Sequence, residues 1–162
     1  MPENFSVRIA KAEHVFSAAH FITYAGQCER LHGHNYRVAA EIHGTLDDDQ
    51  LVVDFLAVRD ALREIIVGLD HYTLLPTEHP TLLVREEGDT VKVSFESRRW
   101  QFPRGDCQLL PIANTTAELL AAYIGHKLKG LLESRCGLEE PHLRVELDEC
   151  EGQLAVWEYR PH

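Results

Sequence analysis

Cys28-Glu-Arg-Leu-His32-Gly-His34-Asn-Tyr36-Arg-Val38-Ala-Ala40-Glu-Ile42 is the stretch on which the reading of this chain turns. Tyr36, Val38, Ala40 and Ile42 share a face with His34, while Asn35, Arg37, Glu41 and His43 face away. That period of two predicts a strand over 34–43 with its apolar face in the core. His32 and His34 point to the same side of the extended backbone. A third histidine, His20, lies upstream in Phe16-Ser-Ala-Ala-His20. Three imidazoles from neighbouring elements form one ligand face for a metal ion and leave a coordination position open, as catalytic zinc sites do. Gly33 suits a backbone that comes close to an ion. Cys28, four residues before His32, is near enough to act on whatever fills the open position. The pattern points to an enzyme. The competing arrangement makes Cys28 a fourth ligand, which closes the site and leaves a purely structural Cys/His zinc centre.

Outward from this strand, 44–49 supplies turn residues. Asp54 is placed to cap a helix in which Phe55, Val58, Leu62, Ile65, Ile66 and Leu69 recur every three or four residues. Thr115-Thr-Ala-Glu118 is a capping-box pattern, followed by the stripe Leu120, Tyr123, Ile124, Leu128 and Leu131, with Gly137 beyond its end. Between these helices, 82–85 and 91–95 flank Glu86-Glu-Gly-Asp89 as a hairpin, and 101–111 reads as a loop with two prolines. Residues 6–16 read as a first strand, and 142–149 with 153–159 as a last pair turning at Glu151-Gly152. Adjacent antiparallel strands with both helices on one face give an α+β domain. Residues 1–162 form one domain, with 76–112 a hairpin-containing insertion between the helices.

A chain of 162 residues, 44% hydrophobic and 26% charged, is ordinary for one soluble core. A formal charge of −10 argues against a nucleic-acid surface, which needs clustered Lys and Arg. Apolar runs such as Leu119 to Ala122 fall far short of the roughly 20 residues that cross a bilayer. Met-Pro-Glu-Asn carries no leader pattern. The expected partners therefore exclude nucleic acid and membrane, and the expected compartment is the cytoplasm. Cys28, Cys107, Cys136 and Cys150 form no Cys-x-x-Cys pair and are expected reduced, the last three structural or incidental.

Three further places carry two readings each. Asp70 and His71 end the first helix, where charge can answer the helix dipole. They can equally serve Cys28, because a thiol is a poor base until a partner lowers its pKa. Glu149 continues the alternation of Leu143, Val145 and Leu147. It is either a solvated turn residue or a carboxylate on the core side, costly unless paired and suited to an edge with two N–H donors. Thr115 and Thr116 are helix caps that can also present backbone groups to a ligand.

The set of His20, Cys28-x3-His32-Gly-His34, Val52-Val-Asp54-Phe55, Leu69-Asp70-His71, Thr115-Thr-Ala-Glu118 and Glu149 resembles the 6-pyruvoyltetrahydropterin synthase family, which includes the 6-carboxytetrahydropterin synthases of queuosine biosynthesis. The likeness runs from about Val7 to Tyr159 and is interrupted by 76–112. It implies a tunnelling fold (T-fold): a four-stranded antiparallel sheet under two helices that closes across subunits into a barrel, as a homohexamer of two trimers with sites at subunit interfaces. It implies zinc on His20, His32 and His34, catalysis by Cys28, Asp70 and His71, and a pterin held by Glu149 and the backbone around Thr115 and Thr116.

The implied reaction is a zinc-dependent lyase step on 7,8-dihydroneopterin triphosphate, giving 6-carboxy-5,6,7,8-tetrahydropterin with loss of acetaldehyde and triphosphate. The pyruvoyl product, formed by triphosphate elimination, is the enzymatic alternative. The three-residue gap between Cys28 and His32 resembles the queuosine-pathway members. Two departures bear on substrate preference: Tyr72-Thr-Leu-Leu75 stands where the family often has Leu-Asn, and 76–111 is longer than in the smaller bacterial members.

Overall fold

The computed structural model describes residues 3–161. The first half of the chain runs β1 (Phe5–Ile9), β2 (Val15–His20), β3 (Thr23–Tyr24), β4 (Gln27–Cys28), β5 (His32–Gly44) and α1 (Phe55–Val67). The insertion follows as β6 (Thr73–Pro76), β7 (Leu83–Glu87), β8 (Thr90–Phe95), β9 (Arg98–Pro103) and β10 (Cys107–Leu110). The chain closes with α2 (Ala117–Cys136), β11 (His142–Cys150) and β12 (Gln153–Tyr159).

The long strand β5 organises the sheet because its alternation holds throughout: Tyr36, Val38, Ala40 and Ile42 are all buried. Antiparallel β11 flanks one side of it, with β12 beyond. On the other side lie both β1 and β2, end to end. The single strand expected over 6–16 is therefore two. The chain breaks at a turn where the Lys11 carbonyl accepts from the His14 N–H at 3.1 Å, and the His14 carbonyl accepts from Val38 at 2.9 Å. The expected antiparallel core is thus present, but the sheet has seven strands, not four. Two short parallel strands, β6 and β10, extend it beyond β2.

Both helices cover one face. Val58, Leu62 and Ile65 of α1 and Leu120, Ile124 and Leu128 of α2 meet the inward residues of β5 and those of β11, Leu143, Val145 and Leu147. Asp54 caps α1 by accepting from Leu56 N–H at 2.9 Å, and Gly137 ends α2 in the left-handed region. Phe55, expected on the buried stripe, is 55% exposed at the helix start. Gly125 lets Trp157 of β12 lie directly against α2: a Cβ there would come within 2.1 Å of the indole.

The insertion is a three-stranded antiparallel sheet, β7-β8-β9, not a lone hairpin. The expected loop over 101–111 instead holds the end of β9, a short 3-10 turn at Arg104–Asp106 and β10. The insertion carries a second core in which Leu82, Val91, Val93 and Phe95 pack with Phe21, Leu75, Cys107 and Cys28. Among the described residues no helix is long and apolar enough to cross a membrane.

Candidate active site

The pairing of β2 with β5 sets His20 opposite His32 and Ala18 opposite His34. The period of two then puts all three imidazoles on one face of the sheet. Their ring centroids lie 4.8 Å (His20 to His32), 5.3 Å (His20 to His34) and 5.0 Å (His32 to His34) apart. One ring nitrogen from each falls within 4.8 Å of the others, and Cys28 is not a member of this group.

The tautomers suit a metal. His20 Nδ1 lies 2.8 Å from the Thr115 carbonyl and His32 Nδ1 lies 2.7 Å from the Arg30 carbonyl. A carbonyl can only accept, so each Nδ1 carries the proton and each Nε2 keeps its lone pair, the usual support for a ligating imidazole. Burial, with a lesser push from the neighbouring His32 and His34, lowers the His20 pKa to about 4. His20 is therefore neutral, the form that ligates. The residues present fit a divalent ion.

Glu149 lies at a β-bulge, where the register between β11 and β12 shifts across Asp148 and Cys150. Its carboxylate is half-buried against the histidines: Oε1 is 3.5 Å from His20 Nε2 and 3.8 Å from His34 Nε2. The Tyr36 hydroxyl donates to the same oxygen at 3.3 Å. Burial first, and then the charge of Glu149, push the Tyr36 pKa up, so it remains a donor.

Cys28 ends a small hairpin, β3-β4, whose turn residues Ala25 and Gly26 both have positive φ (50° and 75°). The thiol is buried and donates to the Glu29 carbonyl at 3.5 Å. Burial raises its pKa, opposed by the positive charge of Arg98.

Asp70 and His71 pair with each other at 2.9 Å. Asp70 also accepts from the Ser17 N–H at 2.8 Å, the main reason its pKa lies below the usual range. His71 is 81% exposed with φ at 63°. Among the described residues no hydrogen bond or ion pair joins this couple to Cys28 or to the three histidines.

Thr115 and Thr116 divide their work. The capping-box pattern begins at Thr115, but the cap is Thr116, whose Oγ1 accepts from Leu119 at 3.4 Å. Thr115 is fully buried; its carbonyl orients His20 and its hydroxyl donates to the Phe21 carbonyl at 3.1 Å. Two members of the site went unread in the sequence. Tyr36 was legible, since it shares the face of His34. Arg98, which reaches the cysteine loop from the insertion, was not.

A sheet under two helices thus carries at one end three imidazoles able to hold a metal ion and a carboxylate beside them. The family model described as 6-pyruvoyl tetrahydropterin synthase matches residues 8–160, and the chain belongs to that family. A Methanocaldococcus jannaschii protein, named provisionally as a 6-carboxy-5,6,7,8-tetrahydropterin synthase, is 31% identical over 143 residues, 88% of each chain. The Haemophilus influenzae 6-carboxy-5,6,7,8-tetrahydropterin synthase is 27% identical, covering 72% of this chain and 79% of its own. Among solved structures, the Plasmodium vivax 6-pyruvoyltetrahydropterin synthase superposes with a TM-score of 0.90 at 26% identity, covering 99% of this chain and all of its own. The chain is thus a T-fold enzyme of the tetrahydropterin synthase type.

Proposed function

We propose that this chain is a zinc-dependent 6-carboxytetrahydropterin synthase. It would convert 7,8-dihydroneopterin triphosphate and water to 6-carboxy-5,6,7,8-tetrahydropterin, acetaldehyde and triphosphate, a step of queuosine and related 7-deazapurine biosynthesis. The observation that carries the reading is the three-histidine face, with the Nε2 lone pairs of His20 and His32 left free and Glu149 against it. The 6-carboxy names of the sequence relatives favour this product.

Each residue then has a task its surroundings allow. His20, His32 and His34 hold the ion, which supplies a Lewis acid to the side-chain oxygens of a bound substrate. Glu149 receives the 2-amino and ring N–H edge of the pterin in charge-assisted hydrogen bonds, with Tyr36 fixing the carboxylate. Thr115 and Thr116, at the start of α2, border the ring. Cys28 moves protons on the substrate side chain, and His71, oriented by Asp70, is its acid–base partner. Among the described residues the Asp70–His71 couple has no hydrogen bond or ion pair to Cys28 of its own chain, and in the proposed assembly it serves a neighbouring subunit's site. The assembly is a homohexamer of two trimers, in which the open edges of β10 and β12 find partners. All four cysteines are free, which suits the reducing cytoplasm.

A non-catalytic protein with a closed Cys/His site would need Cys28 among the ligands, and the ligand group is three histidines without it. A second catalytic reading has its own support. Plasmodium vivax 6-pyruvoyltetrahydropterin synthase has been solved with a catalytic glutamate replaced by alanine and by cysteine. Here Glu29 adjoins Cys28, with a carboxylate oxygen 4.0 Å from His32 Nε2. Under that reading Glu29 shares the proton transfers and the product is the 6-pyruvoyl compound. Incubating the zinc-loaded protein with 7,8-dihydroneopterin triphosphate and weighing the product decides between them. The 6-carboxy mass with acetaldehyde supports the first reading, and a 6-pyruvoyl product alone overturns it.

A further inference from the structure

The three-stranded insertion leaves its mark on the cysteine loop through one residue. The tight turn between β8 and β9, at Glu96 and Ser97, brings Arg98 over the end of β4. One guanidinium nitrogen donates to the Cys28 carbonyl, and both reach the Glu29 carbonyl at 3.4 Å. The guanidinium sits 4.5 Å above the Trp100 ring, and Trp100 packs on Phe21, the residue after His20, at 4.8 Å. Stacked on one side and bonded on the other, the group has little freedom to swing away. Behind the loop, Val91, Val93 and Phe95 share a core with Cys28 itself.

We propose that Arg98 is a positioning residue for the proposed reaction: carried in by the insertion, it fixes the Cys28–Glu29 backbone and holds a positive charge beside the buried thiol. This rests on the assignment of Cys28 to proton transfer. The charged groups acting on the thiol are Arg98 from β9, which favours the thiolate, and Glu29 beside it, which opposes it. Arg104 faces the other buried thiol of this cluster, donating to the Cys107 carbonyl at 3.0 Å. Without Arg98, burial and Glu29 act unopposed, and Cys28 is a less reactive thiol. The planar fork of the arginine bridges two carbonyls while stacking on an indole, and its charge, the part that acts on the thiol, is one a lysine also carries.

The test uses R98Q, which removes the charge, and R98K, which keeps it. Site-resolved alkylation of Cys28 by iodoacetamide is followed against pH on the zinc-loaded protein without substrate, and kcat and KM are measured with the pterin triphosphate. In R98Q the alkylation midpoint is expected to rise by about one pH unit. Its kcat should fall roughly tenfold, with KM within about twofold and zinc content unchanged. R98K is expected to keep the wild-type midpoint and most of kcat. An unmoved midpoint with wild-type kcat in R98Q overturns the proposal. So does an R98K midpoint displaced upward, a result readable even if the glutamine chain fails to fold. Because the alkylation needs no turnover, a midpoint shift without any pterin activity in the wild type would sink the proposed reaction and leave the role of Arg98 standing.

Discussion

His20 ligates a metal only as a neutral imidazole, and its burial holds it there with a pKa of about 4, below the ordinary value of 6.5. Between those values the unfolded chain binds the proton and the folded chain does not. The stability this contributes is therefore full above pH 6.5 and lost as pH falls through 4, on the order of 3 kcal/mol for the metal-free protein. Buried His14, whose ring nitrogens find no partner among the described residues, acts in the same direction. Urea unfolding of the metal-free chain at pH 7 and pH 4.5, set beside His20→Phe, should show a steeper acid loss in the wild type; equal losses would contradict this. Glu149→Gln keeps shape and removes the charge that would pair with the pterin edge. It should leave zinc bound and weaken binding of a pterin analogue by about 1.5–3 kcal/mol. Unchanged affinity on titration would remove Glu149 from the site. The three histidines were legible because they follow the period of two along strands; for Glu149 that period left two readings open, and the residue sits at a bulge. The role of Thr115 was hidden, since capping patterns are local and its partner His20 lies 95 residues away in the chain. Arg98 was hidden for the same reason, 70 residues from Cys28.

Long elements announced themselves and short ones did not. β5 and α1 repeat their apolar residues over enough length to be read directly. β6 and β10, four residues each, are short apolar strands in parallel pairing and show no alternation. The break between β1 and β2 escaped for a different reason: both lie along one side of β5, so their patterns run together. Packing between elements was equally silent. Nothing local marks Gly125 as the seat of Trp157, yet a Cβ would fall inside the indole ring's contact distance at three atoms. Gly125→Ala, otherwise favourable in a helix, is expected to destabilise the protein by about 1–3 kcal/mol through overpacking. Urea midpoints read this. A stabilised Gly125→Ala protein would mean that β12 does not rest on α2 as described.

Across the whole molecule, the candidate chemistry is divided: Cys28 sits in the insertion's core and His71 faces outward with Asp70. If a working site takes each from a different subunit, Cys28→Ala and His71→Ala chains are both inactive but zinc-loaded. Unfolding and reassembling them together should regenerate sites with both groups and recover about a quarter of wild-type activity per site in a random mixture, against the 10²–10⁴-fold loss typical of a missing acid–base group. No recovery would place both groups in one chain's site. On the proposed account the insertion and a neighbouring subunit decide what the three-histidine face can do, but that face must first be a metal site with an open position. X-ray absorption at the zinc edge of the loaded protein measures this directly. Three nitrogen ligands at about 2.0–2.1 Å with an oxygen and no sulfur is the predicted shell. A sulfur at about 2.3 Å would make Cys28 a ligand and contradict the catalytic assignment.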